Sequence, residues 1–133
     1  MRVIIAGSRT IRDFQLIVDA VLESQFIINT VISGGQRSYD TLNGQYYGAD
    51  YFGEQWAKNN GVHLERYPAD WNTHGKAAGP IRNKQMADIA DALIAISEND
   101  SPGTKHMIKT MRDMNKPVYV RYTSDSSIHN FFK

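Results

Sequence analysis

The sequence has no cysteine among its 133 residues, which excludes a disulfide framework, a thiolate nucleophile and any zinc site with sulfur ligands. It has no excess of charge of one sign. Fifteen Lys and Arg against fourteen Asp and Glu leave a formal net charge of +1, so no global field draws the chain to nucleic acid or to an anionic membrane, and any anion site has to be local. Long apolar runs are also missing. Val3 to Ala6, just after Met1 and Arg2, is too short for a signal-peptide core or a membrane span, and the expected location is cytoplasmic. The four histidines show no His-x-x-x-His spacing and no serine sits in a Gly-x-Ser-x-Gly elbow. Neither a bound metal nor a cofactor is expected, and a serine hydrolase loses support.

What is present is the balance of an ordinary globular protein, with 41% hydrophobic and 22% charged residues. That length and balance predict one domain over 1–133. Val3-Ile4-Ile5-Ala6 is continuously apolar and β-branched and stops at Gly7-Ser8, as a central parallel strand covered on both faces does. Thr10 with Asp13 resembles a capping box, and Phe14, Ile17, Val18, Val21 and Leu22 follow at helical spacing. Thr30 to Ser33 followed by Gly34-Gly35 repeats the strand-then-glycine pattern. A helix carrying Phe52, Trp56 and Ala57 then runs to a C-cap at Gly61.

Between these, Ser38 to Tyr47 reads as an irregular surface insertion with a turn at Asn43-Gly44. Val62 to Tyr67 alternates like an edge strand. A polar loop, 70–79, leads to a helix with Pro80 at its first position and an apolar face of Ile81, Met86, Ile89 and Ala90. Ala92 to Ile96 is a second fully apolar strand. A helix with Met107, Ile108, Met111 and Met114 on one side follows, then Val118 to Val120 as the last strand and a polar tail over 123–133. Strands alternating with helices predict an α/β, Rossmann-like three-layer sandwich: a five-stranded parallel sheet of order 3-2-1-4-5 with helices on both faces.

In such sheets ligands bind beyond the carboxyl ends of the strands, at the switch point between the first and fourth strands. Those ends carry Gly7-Ser8-Arg9 and Ser101-Pro102-Gly103-Thr104. Glycine lets a phosphate approach the backbone, and a helix start offers it free amides; the plain alternative is that these are turn glycines. Arg9 directly follows the central strand, where a phosphate would lie. Arg37 beside Gly34-Gly35, and Arg82, have weaker cases, with a surface salt bridge as the alternative. Asp50 at a helix start either caps it or accepts from ribose hydroxyls. The loop from Asp70 gathers Trp71, able to stack on a base, with His74 and Lys76, which either contact phosphate or are merely solvated.

The ordered set MRVIIAGSR, VISGG with a later GAD, PADW at 68–71, HGKAAGPIRN at 74–83 and SPGT before a Met-rich helix resembles the YspA-like branch of the SLOG superfamily. Other branches of that superfamily include the LOG phosphoribohydrolases and the DNA-uptake protein DprA. The resemblance implies a Rossmannoid fold and a nucleotide-type ligand, with Gly7, Ser8, Arg9, Gly34, Gly35, Arg37, Asp50, Gly79, Arg82, Asn83, Gly103 and Thr104 in site-forming segments. Two departures stand out. The insertion at 38–47 interrupts a direct GG-x-R-GAD passage. Where LOG enzymes carry GGxGTxxE with a glutamate, this chain reads Lys105, His106, Met107 after Gly103-Thr104.

An N-glycosidic cleavage needs a carboxylate at the reacting centre. The expectation is therefore a protein that senses or sequesters a nucleotide-derived small molecule, with a nucleotide-processing N-glycosidase as the alternative, in which Asp50, Asp70 or Glu98 stands in for the glutamate. Near-neutral charge argues against DNA as the partner. The aromatics Tyr46, Tyr47, Phe131 and Phe132 suggest a homo-oligomer.

Overall fold

A computed structural model describes residues 1–99 and 101–123; the expectations for Phe131 and Phe132 lie outside them. Strand β1, Arg2–Gly7, is central. On one side it pairs in parallel with β2, Thr30–Ser33, and on the other with β6, Ala92–Ser97. Its alternating side chains feed two cores. Val3 and Ile5 join Val31, Ile94 and Ile96 on one face, while Ile4 joins Ile32, Leu93 and Ala95 on the other. Continuous β-branched and aliphatic runs are what a strand buried on both faces requires.

Strands β5, His63–Arg66, and β7, Val118–Tyr122, close the edges. The five-stranded order is β5-β2-β1-β6-β7 with every pairing parallel, which is the expected 3-2-1-4-5 with helices on both faces.

Helices α1, Phe14–Ser24, and α2, Ala49–Asn59, cover the first core. Helices α4, Ala78–Ile89, and α5, Pro102–Asp113, cover the second. Gly53 brings α2 very close to β1, since a Cβ there would stand 2.8 Å from Ile5 Cγ2.

Several local expectations need correction. Helix α1 is capped by Asp13, whose carboxylate accepts from the Gln15 amide, whereas the Thr10 hydroxyl turns away to the Glu98 carboxylate. Leu22, though in phase with the helix, is 72% exposed. The α2 cap falls on Asn60 and Gly61 lies just beyond it, at φ +64°. The insertion is ordered as an antiparallel hairpin, β3, Ser38–Asp40, and β4, Gln45–Tyr47, in a sheet of its own. Gly44 supplies the positive φ of its turn, and Tyr39 pairs with Tyr46.

The polar loop winds into a short helix α3, Trp71–His74, then a 3-10 turn, Gly75–Ala77, and α4 begins at Ala78. Pro80 is thus the third helical residue, still within the first turn, where no intrahelical acceptor awaits its missing N–H. Helix α4 also faces differently from the expectation. Ile81 and Ile89 are on its outer side, while Arg82 and Asn83 are buried with Met86 and Ala87. The inward face carries polar residues because its first turns lie over the carboxyl end of the sheet rather than over its middle.

Candidate functional site

At the carboxyl ends of β1 and β6 lies a cleft of about 420 Å³, walled by the start of α2, by α3 and α4, and by the first turns of α5. Gly7 forms its floor at the end of β1. A Cβ there would stand 2.1 Å from the Ile96 carbonyl oxygen and 2.9 Å from Ala49 Cβ, so only glycine lets the first loop pass between β6 and α2. Ser8, buried, donates its hydroxyl to the Glu98 carbonyl and accepts from the Glu98 amide, both at 2.9 Å. It clasps the two switch-point loops together.

Arg9 then emerges on the rim, exposed. Among the described residues its guanidinium makes no hydrogen bond or ion pair, and only its backbone carbonyl is engaged, by the Ser38 hydroxyl at 3.1 Å.

The opposite wall is built around Arg82, which is 8% exposed. Its guanidinium donates to the Gly34 carbonyl at 2.8 Å and to Asn83 Oδ1 at 3.2 Å, and burial lowers its pKa from the ordinary arginine value. Gly34 is glycine because a Cβ would meet Arg82 Nη1 at 2.4 Å and Asp50 Oδ2 at 2.9 Å. Asp50, in the first turn of α2, accepts from the Gln36 amide at 3.1 Å. Burial pushes its carboxyl up to about 6, against the pull of that amide and of the nearby Arg82 and Arg37 charges. One carboxyl able to gain or lose a proton near neutrality therefore lines a cleft that is otherwise rich in donors.

Helix α5 opens onto the same space. Ser101 is its N-cap residue without a side-chain capping bond, and the first-turn amides have no intrahelical acceptor. Among the described residues the buried Thr104 hydroxyl has no hydrogen-bond partner, a condition that costs roughly 1–3 kcal/mol. Gly103 is exposed, and a Cβ there would meet nothing within 4 Å. Its φ lies outside the left-handed region, so its place rests on no backbone requirement.

Of the residues singled out from the sequence, the structure gathers Gly7, Arg9, Asp50, Trp71, Gly79, Arg82, Asn83, Ser101, Gly103 and Thr104 around this cleft. Gly34 supports its wall from behind. Others are elsewhere or engaged. Ser8 is held by Glu98. The Gly35 amide donates to Ser33 Oγ. Arg37 pairs at 2.8 Å with Glu54, a fully buried carboxylate on α2 that also takes Arg66 at 2.8 Å and Ser33 Oγ at 2.7 Å.

Burial would raise Glu54, but the bonds from Ser33, Arg66 and Arg37 prevail and hold it below the usual range. Asp70 caps α3 through the Thr73 amide, and His74 and Lys76 are exposed and away from the cleft. Reading the sequence missed Gln36, His106, Met86 and Met107, which also line it, as well as Glu54. The signal for Glu54 was its place one helical turn after Asp50.

Comparison with known proteins agrees with the fold. The pattern of the YspA, cpYpsA-related SLOG family matches residues 1–74. The chain belongs to this family. A relative within reach of direct alignment, the Gene 61 protein of Mycobacterium phage D29, is 32% identical over 88% of this chain and 93% of its own length. The SLOG match covers Gly7, Arg9, Gly34 and Asp50 and stops before Arg82, Asn83 and the start of α5, so eleven of the seventeen residues that line the cleft come from beyond it. Among the described residues no helix is long and apolar enough to cross a membrane, and no group of three or more His, Asp or Glu is placed to hold a metal ion.

Proposed function

We propose that this SLOG protein binds a nucleotide or nucleotide-derived small molecule in the cleft, as a sensor or a sequestering protein. The observation that supports it best is that the first turn of α5, with Gly103 and Thr104, lines the same cleft as Arg9, whose guanidinium is uncommitted among the described residues. Together they offer a phosphate group helix-start amides and a guanidinium. The apolar side chains of Met86 and Met107, with the half-exposed Trp71 at the rim, suit a planar base. Asp50, which lines the cleft, would accept from ribose hydroxyls.

Titration calorimetry against nucleoside mono- and diphosphates, cyclic nucleotides and ADP-ribose tests the reading. Saturable binding of at least one of them, recovered intact after denaturation, is expected, and no binding across the panel refutes it.

A second reading rests on Asp50, a carboxyl that lines the cleft and titrates near 6. As an acid it would give its proton to a departing base as the C1′–N bond breaks, and water would add its hydroxyl to C1′ and return its remaining proton to the Asp50 carboxylate. Free base appearing with the wild-type protein and not with Asp50→Asn supports this reading; its absence leaves the binding protein. In either case the partner is a small molecule in the cytoplasm rather than nucleic acid. Of the two hairpin tyrosines expected at a self-association surface, Tyr46 is exposed while Tyr47 is half-buried beneath Arg12; Tyr46 with the exposed Tyr39 would form the surface for a second copy, which sedimentation of wild type against a Tyr39→Ser, Tyr46→Ser variant tests.

A further inference from the structure

Three side chains on α4 and α5 form a directed chain of hydrogen bonds. Arg82 Nε, which can only donate, meets Asn83 Oδ1 at 3.2 Å. The other end of that amide faces the Gly103 carbonyl, which can only accept, at 3.5 Å. Both contacts orient Asn83 the same way, with its oxygen toward the arginine and its NH2 toward α5.

That NH2 lies 3.0 Å from His106 Nδ1. Because the amide nitrogen has protons to give and no lone pair to offer, Nδ1 has to be the acceptor, and the imidazole carries its proton on Nε2. The ring of His106 lines the cleft, and Nε2 has no partner among the described residues.

We propose that His106 is a ligand-contacting, specificity-determining residue: Arg82, acting through Asn83, sets its tautomer so that it offers an Nε2–H donor to an acceptor oxygen of the ligand beside the start of α5. The inference rests on the nucleotide-binding reading and narrows it. The group received there is an acceptor-only oxygen of a phosphoryl or carbonyl group, and a donor such as an amino group is rejected. Asn83, 6% exposed, is a positioning residue that acts on the ligand through His106.

The tautomer is read first, without any ligand, from the ¹⁵N shifts of the imidazole in long-range ¹H–¹⁵N spectra of the wild-type protein. An Nε2–H tautomer is expected. In Asn83→Asp a carboxylate replaces the NH2, and the ring should switch to Nδ1–H. A wild-type ring with its proton on Nδ1 overturns the orienting chain whatever binds.

Titration with adenosine monophosphate and with inorganic phosphate then reads the contact. His106→Ala should weaken binding about tenfold, the loss of one hydrogen bond to a charged acceptor, and His106→Gln, which keeps a donor near the Nε2 position, should restore most of it. Equal affinity of His106→Ala and wild type overturns the ligand contact. If the wild-type protein binds neither probe, the contact proposed for His106 is overturned, the nucleotide reading itself is decided by the full panel, and the spectra still decide the role of Arg82 and Asn83.

Discussion

Two buried polar regions lie one helical turn apart on α2, and they are built on opposite rules. Around Glu54 every demand is met: the carboxylate is fully buried and receives Ser33, Arg37 and Arg66 at hydrogen-bond distance. Around Asp50 the accounts stay open. Its carboxyl takes one backbone amide, and among the described residues the Arg9 guanidinium across the cleft and the buried hydroxyl of Thr104 in the cleft wall have no partner. A closed cluster holds β2, the following loop and β5 onto α2. Unsatisfied groups, by contrast, gain only when something arrives. The difference separates scaffold from site more sharply than charge or depth, since both regions are buried and both contain arginines.

The comparison breaks most visibly if the closed cluster is opened. Removing both cations with Arg37→Ala and Arg66→Ala strands the buried Glu54 charge and should cost about 3–5 kcal/mol in urea unfolding, with nucleotide affinity unchanged in the folded fraction. A fall in affinity instead would move Arg37 into the site.

The converse applies to Arg9, whose replacement by alanine should weaken binding of a phosphorylated ligand by about 1.5–3 kcal/mol by calorimetry, with little change in melting temperature. Unchanged affinity would show that being unpartnered does not mark the site.

Asp50 sharpens the comparison through pH. Its folded value of about 6 stands above the ordinary 3.8, so the folded state holds the proton more tightly. That stabilisation is fully present below 3.8 and is lost as pH rises through about 6. Unfolding free energy should fall by about 1–3 kcal/mol across that window. Asp50→Asn should flatten the decline. Glu65, held at about 2 against an ordinary 4.5 by its bonds to Arg2 and Tyr67, acts in the opposite sense and overlaps only the acid end of this window. A decline that persists in Asp50→Asn would assign it to other groups.

The smallest effect is expected at Gly103, where open space and ordinary φ let Gly103→Ala stabilise the fold by about 0.5–1 kcal/mol while a methyl at the phosphate's approach weakens binding. Stabilisation with undiminished affinity would leave this glycine as a plain turn residue.

The sheet was legible because a parallel strand buried on both faces writes itself as an uninterrupted apolar run, and Val3 to Ala6 and Ala92 to Ile96 do so. The loops of the site were legible for a related reason: glycines, an arginine and a helix start together at the end of a central strand. What the sequence did not reveal was commitment. Arg9 and Arg37 both follow glycine-bearing strand ends, yet only the fold brings Glu54 to one of them. Likewise Ile81 and Ile89 promised an apolar inner face for α4, and only its placement over the sheet's carboxyl end explains why Arg82 and Asn83 turn inward. His106 escaped notice because a half-buried histidine inside a helix carries no signal until its neighbour on another helix is known.

The central place of β1 also bears on the order in which the molecule is made. Val3 pairs with Val31 on one side and with Ala92 on the other, and contacts so far apart in the chain form late. As the polypeptide leaves the ribosome, β1, β2 and β5 can associate while one edge of β1 still lacks its neighbour. Only when Ala92–Ser97 emerges does that edge close, and α5 follows it. The cleft is therefore completed late, by residues that the nascent chain supplies after its other walls exist and just before the edge strand β7, and a fragment ending before β6 should expose an unpaired apolar strand to aggregation.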